Sequence, residues 1–202
     1  MVALQHSKRL AAAARRRQIL GVAAELFIKQ GFEAVSMADI ARVLGISRPA
    51  VYSYFASTEA VLEALLEEHL GQLWQHLEAV IPARSSAAPR PAPGFYVRLF
   101  TVLLGQSGTL LLLYSGGGPV FQARRNAFLT ELERRLDLQF PGAGQRPYQM
   151  SVVTHLLGSL AFFAVQQRLP DAHLLAETLD SFTRGGMAEL ARSEPVRKVS
   201  VT

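Results

Sequence analysis

The sequence predicts an all-α fold on three observations. Apolar residues recur at helical spacing through most of the chain, no stretch shows the alternation of a strand, and glycine and proline divide it into about nine helices. No repeat of fixed period is present.

Residues 10–30 carry Ile19, Val22, Ala23, Leu26 and Phe27 on one stripe, with Arg16, Arg17, Glu25 and Lys29 elsewhere, and Gly31 stops the helix. Ser36 opens a second, short helix. Asp39 stands three residues on, where it can reach back as a variant capping box. Met37, Ile40, Ala41 and Leu44 form the inner face of this helix, and Gly45 closes it. Ser47 is the expected cap of a third helix, with Pro49 in its first turn, where a missing N–H costs nothing. Val51 and Phe55 point inward. Ser57 or Thr58 caps a fourth helix running to about Ile81. From Pro82 to Gly94 four prolines preclude a continuous helix. Helices then follow at about Phe95–Gln106, Thr109–Ser115 and Pro119–Leu138, with a break at Gly116–Pro119 and a loop over Gly142–Pro147. Two long helices end the fold, about Tyr148–Arg168 and Asp171–Ala191, before a polar tail expected to fray.

Composition narrows the function. The 202 residues are 50% apolar, enough for a sizeable core, with a surplus suited to a subunit interface or a ligand cavity. The chain has no cysteine, which excludes disulfides, thiolate metal sites and cysteine nucleophiles. No signal segment follows Met1–Arg9. The apolar stretches Leu99–Tyr114 and Val152–Val165 fall short of a clean span of roughly 20 residues, so a soluble, cytoplasmic protein is expected. The net charge is +5, of which residues 1–60 carry +4. A basic head on a near-neutral body suggests a polyanionic partner.

The sharpest local signal is three short, tightly punctuated helices near the N-terminus. Leu44-Gly45-Ile46-Ser47 supplies the tight turn of a helix-turn-helix, whose second helix would enter the DNA major groove. Arg48, Ala50, Tyr52, Ser53 and Tyr54 would then be outward. They offer a bidentate donor, small groups for close approach, and hydroxyls.

The runs Gly31-Phe32-Glu33-Ala34-Val35-Ser36-Met37-Ala38-Asp39-Ile40-Ala41, Leu44-Gly45-Ile46-Ser47 and Val51-Tyr52-Ser53-Tyr54-Phe55 together resemble the DNA-binding signature of the TetR family, over roughly residues 13–65. The resemblance implies a homodimer released from a pseudo-palindromic operator by a ligand. It also implies that Ser36 and Tyr54 touch phosphates, while Arg48, Pro49, Ala50 and Tyr52 lie nearest the bases. Ser47, Ser53 and Thr58 complete the expected DNA-binding set. One departure is Thr58, where the family usually has lysine; its hydroxyl can cap the helix, but one counterion-releasing contact is lost.

The expected organisation is a DNA-binding domain over residues 1–57 and a ligand-binding and dimerisation domain over 58–202. In the latter, Trp74, Phe100, Phe121 and Phe162 are candidate pocket walls, and Gln106, Tyr114 and His155 candidate polar handles for a small apolar or amphipathic inducer. For each of these the plainer reading is core packing; His155 would then be a buried, hydrogen-bonded histidine. The dimer interface is expected on the last two helices. Val152, Leu156, Ser159, Leu160 and Phe163 form one stripe and Leu175, Leu179, Phe182 and Leu190 another, with Gly158, Ser159 and Ala161 allowing close approach. No metal site or cofactor is expected, because His69 and His76 are too far apart for one ion and the other histidines are scattered. An enzyme is not expected either: paired carboxylates, a phosphate-binding glycine loop and a nucleophile with a base are all missing. The rival reading is an inducer-independent structural or nucleoid-associated DNA-binding factor on the same fold. A repressor is expected, and an activator is also compatible with the sequence, because operator position sets the sign of regulation.

Overall fold

The computed structural model describes residues 2–81, 91–140 and 148–192. Its elements are α1 (Val2–Gln30), a 3-10 turn (Phe32–Ala34), α2 (Met37–Leu44), α3 (Arg48–Tyr52), α4 (Thr58–Glu78), α5 (Phe95–Gly105), α6 (Ser107–Leu113), α7 (Pro119–Gln139), α8 (Gln149–Gln167) and α9 (Ala172–Arg192). Among the described residues there are nine α-helices and no strand, as the periodicity predicts. The expected loop at 142–147, the proline-rich stretch over 82–90 and the tail beyond 192 lie outside the described residues.

The largest difference from expectation is α1, which starts at Val2 rather than near residue 10. Ala11–Ala14 are strong helix formers, and although exposed they carry the helix N-terminally past its buried stripe. A second difference concerns Ser47. It stands at the N-cap of α3 with extended backbone, but its side chain makes no capping bond. Pro49 occupies the first turn and has no N–H to cap.

The chain forms two compact units, Met1–Gly71 with Leu111–Gly118, and Gln72–Leu110 with Pro119–Thr202. In the first, α2 packs on α1 and α3. Ile19, Ala23, Phe27, Ile40, Val51 and Val61 are fully buried. Residues 111–118 join this unit through backbone and side chain alike: Phe32 N donates to Ser115 O at 3.0 Å and Gly117 N to Glu33 Oε1 at 3.2 Å.

In the second unit α5 packs on α8 and α9, and α7 on α8. Leu73, Leu77, Leu99, Phe100, Leu132 and Leu157 are wholly buried. Aromatic contacts join the elements: Phe95 meets Phe140 edge-on at 4.9 Å, and Trp74 meets Phe128, tilted, at 5.0 Å between ring centroids. Arg135 lies over Trp74 at 4.2 Å while pairing with Glu78 and Glu131. The small residues of α8 serve this intrachain packing. A Cβ on buried Gly158 would stand 3.1 Å from Leu129 Cδ2 of α7, and Ala161 is fully buried. The close approach expected of Gly158 and Ala161 between subunits is therefore made within the subunit. Leu179 is likewise buried and drops out of the exposed stripe.

Asp180 of α9 holds the start of α5. It is 4% exposed and accepts from Tyr96 N at 3.1 Å and Gly94 N at 3.3 Å, while Arg184 Nε donates to it at 2.8 Å. Two of the N–H groups at a helix start, which have no partner within the helix, are thereby satisfied across 84 and 86 residues of sequence. Burial, and secondarily the charge of Asp180, push the Tyr96 phenol above its ordinary pKa, so it stays protonated.

Candidate nucleic-acid interface

The helix-turn-helix is set by its caps. Ser36 Oγ accepts from Asp39 N at 3.3 Å, and Asp39 Oδ2 accepts from Ser36 N at 3.0 Å, a reciprocal capping box. At the other end of α2, Gly45 takes left-handed φ 64 and its N–H bonds to Ala41 O and Arg42 O. A residue with a Cβ would be strained there, which is why glycine makes this turn. α2 ends, the chain reverses within Gly45–Ser47, and α3 begins.

The Ser36 hydroxyl, followed by Arg42 Nη2 at 2.7 Å, holds the Asp39 carboxyl well below the ordinary carboxylate range. A depressed folded-state pKa contributes stability above the unfolded value of about 3.9, and that stability is lost as the pH falls through the carboxyl's folded pKa. Asp39→Asn should therefore lower the melting temperature at pH 7, and the gap to the parent should narrow as thermal melts are taken from pH 5 downward.

On this frame, Ser36, Ser47, Arg48, Pro49, Tyr52 and Ser53 are exposed, and Ala50, Tyr54 and Thr58 are half-buried. Tyr52 is 53% exposed, while Val51 beside it is 0% exposed, so α3 separates a core face from an open one. Arg48 is exposed, and among the described residues no acid pairs with it. Three of the expected hydroxyls already have internal acceptors: Ser36 donates to Asp39 Oδ2, Ser53 to Ala50 O at 2.8 Å, and Thr58 to Glu59 Oε2 at 3.4 Å. A phosphate contact from any of them requires its proton to turn outward. The start of α4 is capped by Ser57, whose Oγ accepts from Ala60 N at 3.3 Å. Hydrogen bonding from Ser57 also lowers the Glu59 pKa.

The expected ligand residues are spread. Tyr114 lies in the first unit, and Trp74, Phe100, Gln106, Phe121, His155 and Phe162 in the second. Phe100 and Phe121 are fully buried core, Trp74 and Phe162 are half-buried, and Gln106 is the half-buried residue that ends α5. His155 is exposed, against the expectation of a buried histidine, with Nδ1 2.7 Å from Ser151 O. It falls on the outward stripe of α8 with Val152, Ser159 and Phe163, all exposed. No group of three or more metal-ligating side chains occurs among the described residues.

Sequence reasoning missed a groove between α8 and α9. It encloses about 470 Å³ and is lined by Tyr148, Val152, Leu156, Phe182, Met187 and Leu190, among others. The apolar stripes pointed at this face. The opening itself depends on how far the two helices splay, which periodicity does not encode. By length and composition α8 is also apolar enough to cross a membrane, with 39% of it buried.

Comparison with known proteins agrees with this architecture. Residues 19–65 match the model for bacterial regulatory proteins of the tetR family. The activator FasR of Mycolicibacterium smegmatis is 37% identical over 59 residues, 29% of this chain and 27% of its own length. The nucleoid occlusion factor SlmA of Haemophilus influenzae is 28% identical over 134 residues, 62% of this chain and 58% of its own. The chain thus spans between about a quarter and three-fifths of these two relatives. The fatty acid degradation regulator FadR of Bacillus halodurans has the same fold at 16% identity, with a TM-score of 0.65 over 85% of this chain and 95% of that one. The capping-box helix, the glycine turn and the short exposed α3 all lie inside the segment, residues 19–65, that matches the tetR family of bacterial regulatory proteins.

Proposed function

We propose that the protein is a dimeric, DNA-binding transcriptional regulator, acting as a repressor that a small apolar or amphipathic molecule releases from a palindromic operator. The observation that carries this reading is α3, with Arg48 and Tyr52 free on one side and Val51 locked into the core on the other. Residues 1–57 are assigned to DNA and residues 58–202 to dimerisation and the inducer, in the cytoplasm. Trp74, Phe100, Phe121 and Phe162 are the proposed walls for the inducer, and Phe100 and Phe121, buried in the core, would have to move to admit it. An activator, FasR, is among the relatives, so activation is the alternative sign of regulation.

The dimer is assigned to the α8–α9 face. Val152, Phe163, Phe182 and Leu190 are 56%, 47%, 69% and 37% exposed there, an apolar surface that water disfavours. A second copy related by a two-fold axis would cover it with the same surface. Phe182→Arg should shift the protein from dimer to monomer at micromolar concentration. A parent protein that sediments as a monomer would remove the dimer from this reading.

The second reading, an inducer-independent nucleoid-bound factor, is favoured by one observation: the similarity to SlmA runs over 134 residues, well past the DNA-binding segment. Selection from random duplexes with the full-length protein separates the two. A strong palindrome next to a few promoters supports the regulator, whereas many dispersed sites support the nucleoid factor. Binding with no sequence preference would contradict both.

A further inference from the structure

Gly186 stands inside α9, between Gly185 and Met187, where glycine weakens a helix relative to alanine. Nothing in the chain requires it there: its φ is not positive, and a Cβ added to it would meet no atom within 4 Å. Gly158 of α8 is the contrast, since a Cβ on it would stand 3.1 Å from Leu129 Cδ2. Gly158 is small because a neighbour is close, whereas Gly186 is small beside open space. That space is the groove between α8 and α9, which Gly186 lines.

The groove has the size and chemistry of a ligand site. Its volume of about 470 Å³ falls within the range of about 300–1,000 Å³ usual for such sites. It runs from Tyr148 to Leu156 along α8 and from Phe182 to Leu190 along α9, about 12 Å of each helix at 1.5 Å per residue. A slot of that shape suits one extended alkyl chain. Val152, Val153, Leu156, Phe182 and Leu190 supply apolar walls. Among the described residues that line it, Glu189 is the one that carries charge, and it pairs with Arg192 at 3.0 Å. With an acid in the lining and no cation, an anionic head is disfavoured.

One polar group in the wall lacks a partner. Thr183 is 5% exposed and lines the groove, and its hydroxyl is buried without a hydrogen bond. Such a group in a folded protein signals an absent partner. Met187, one turn further on, is already engaged, because its thioether accepts from the Tyr96 hydroxyl at 3.4 Å. Rotation about χ1, between the two rotamers threonine shares in helices, turns the Thr183 hydroxyl toward a guest.

We infer that the α8–α9 groove binds a neutral amphiphile, an unbranched alkyl chain whose hydroxyl or carbonyl head bonds to Thr183 Oγ1. The site is separate from the aromatic walls proposed for the inducer and does not depend on the DNA-binding reading. In the dimer assigned to this face the guest lies in the seam, beneath Val152 and Phe182 at the rim.

Calorimetric titration of the full chain with octanol tests the site without DNA. Octanol should bind saturably, and several-fold more tightly than octanoate. Thr183→Val keeps the side chain's shape and should weaken octanol roughly 2- to 10-fold, the worth of one hydrogen bond. Gly186→Leu puts a side chain into the groove and should abolish binding. It should also melt no lower than the parent, because leucine is the better helix former, and sediment as the parent does. No saturable binding by the parent, or full binding by Gly186→Leu, would overturn the inference. So would a Gly186→Leu protein shifted to monomer, because the space would then belong to the second copy. Should Gly186→Leu fail to fold, Thr183→Val decides, and equal octanol affinity in that variant would overturn the inference. A failed operator selection leaves all these results standing, so the two readings fail separately.

Discussion

Asp180→Ala should be among the most destabilising single substitutions in the protein, at about 3 kcal/mol. The carboxylate is buried and meets three donors, Gly94 N, Tyr96 N and Arg184 Nε. Removing it leaves two backbone N–H groups at the start of α5 without an acceptor, each costing about 1–2 kcal/mol when buried. It also leaves Arg184 unpaired, but that side chain is 39% exposed and can turn to water, so the full penalty of about 3–5 kcal/mol for breaking a buried pair does not apply. For a chain of this size the melting temperature should fall by roughly 6–12 °C. Asp180→Asn keeps one acceptor oxygen and should cost about half as much. Arg184→Ala should cost about 1 kcal/mol or less. Equal effects of Asp180→Ala and Arg184→Ala in urea titrations would show that the ion pair, and not the cap on α5, is the stabilising element.

That interaction shows what a single sequence conceals. The cap joins residues more than 80 positions apart, and nothing local to Gly94 or Asp180 announces it. Asp180 does stand on the buried side of α9, with Ala176, Leu179 and Met187, and an acid in such a place signals a buried partner without naming it. By contrast, the capping box at Ser36 and Asp39, the glycine stop at Gly45 and the inward Val51 and Phe55 depend on residues three or four apart, and all were legible. Helix ends in the C-terminal half were legible to within about two residues wherever proline or glycine marks them. At the end of α8 the chain instead puts Arg168 in a left-handed conformation with φ 50, a position a glycine would have advertised. His155 was misjudged because an apolar run on a helix has an outer face as well as an inner one, and the packing of α5 and α7 on α8 decides which is which.

Arg48→Ala should produce the largest loss of function. Arg48 is the first residue of α3, exposed and without an acidic partner among the described residues, so its guanidinium is free to fork onto a guanine edge in the major groove. One bidentate contact discriminates by about 1–3 kcal/mol, and the proposed dimer on a palindrome would make it twice. The expected loss is therefore about 2–6 kcal/mol, between roughly 30-fold and more than 10⁴-fold in Kd, with the preference relaxed at one base pair in each half-site. Arg42→Ala is the matched control. Arg42 is equally exposed, but its guanidinium is held by Asp39 at 2.7 Å, and its removal should change DNA affinity several-fold at most. Fluorescence anisotropy on the selected palindrome and on single-base variants measures both quantities. If Arg48→Ala weakens all sequences alike and flattens the salt dependence by about one unit per subunit, Arg48 is holding a phosphate, and Tyr52 and Ala50 are left as the residues that read bases.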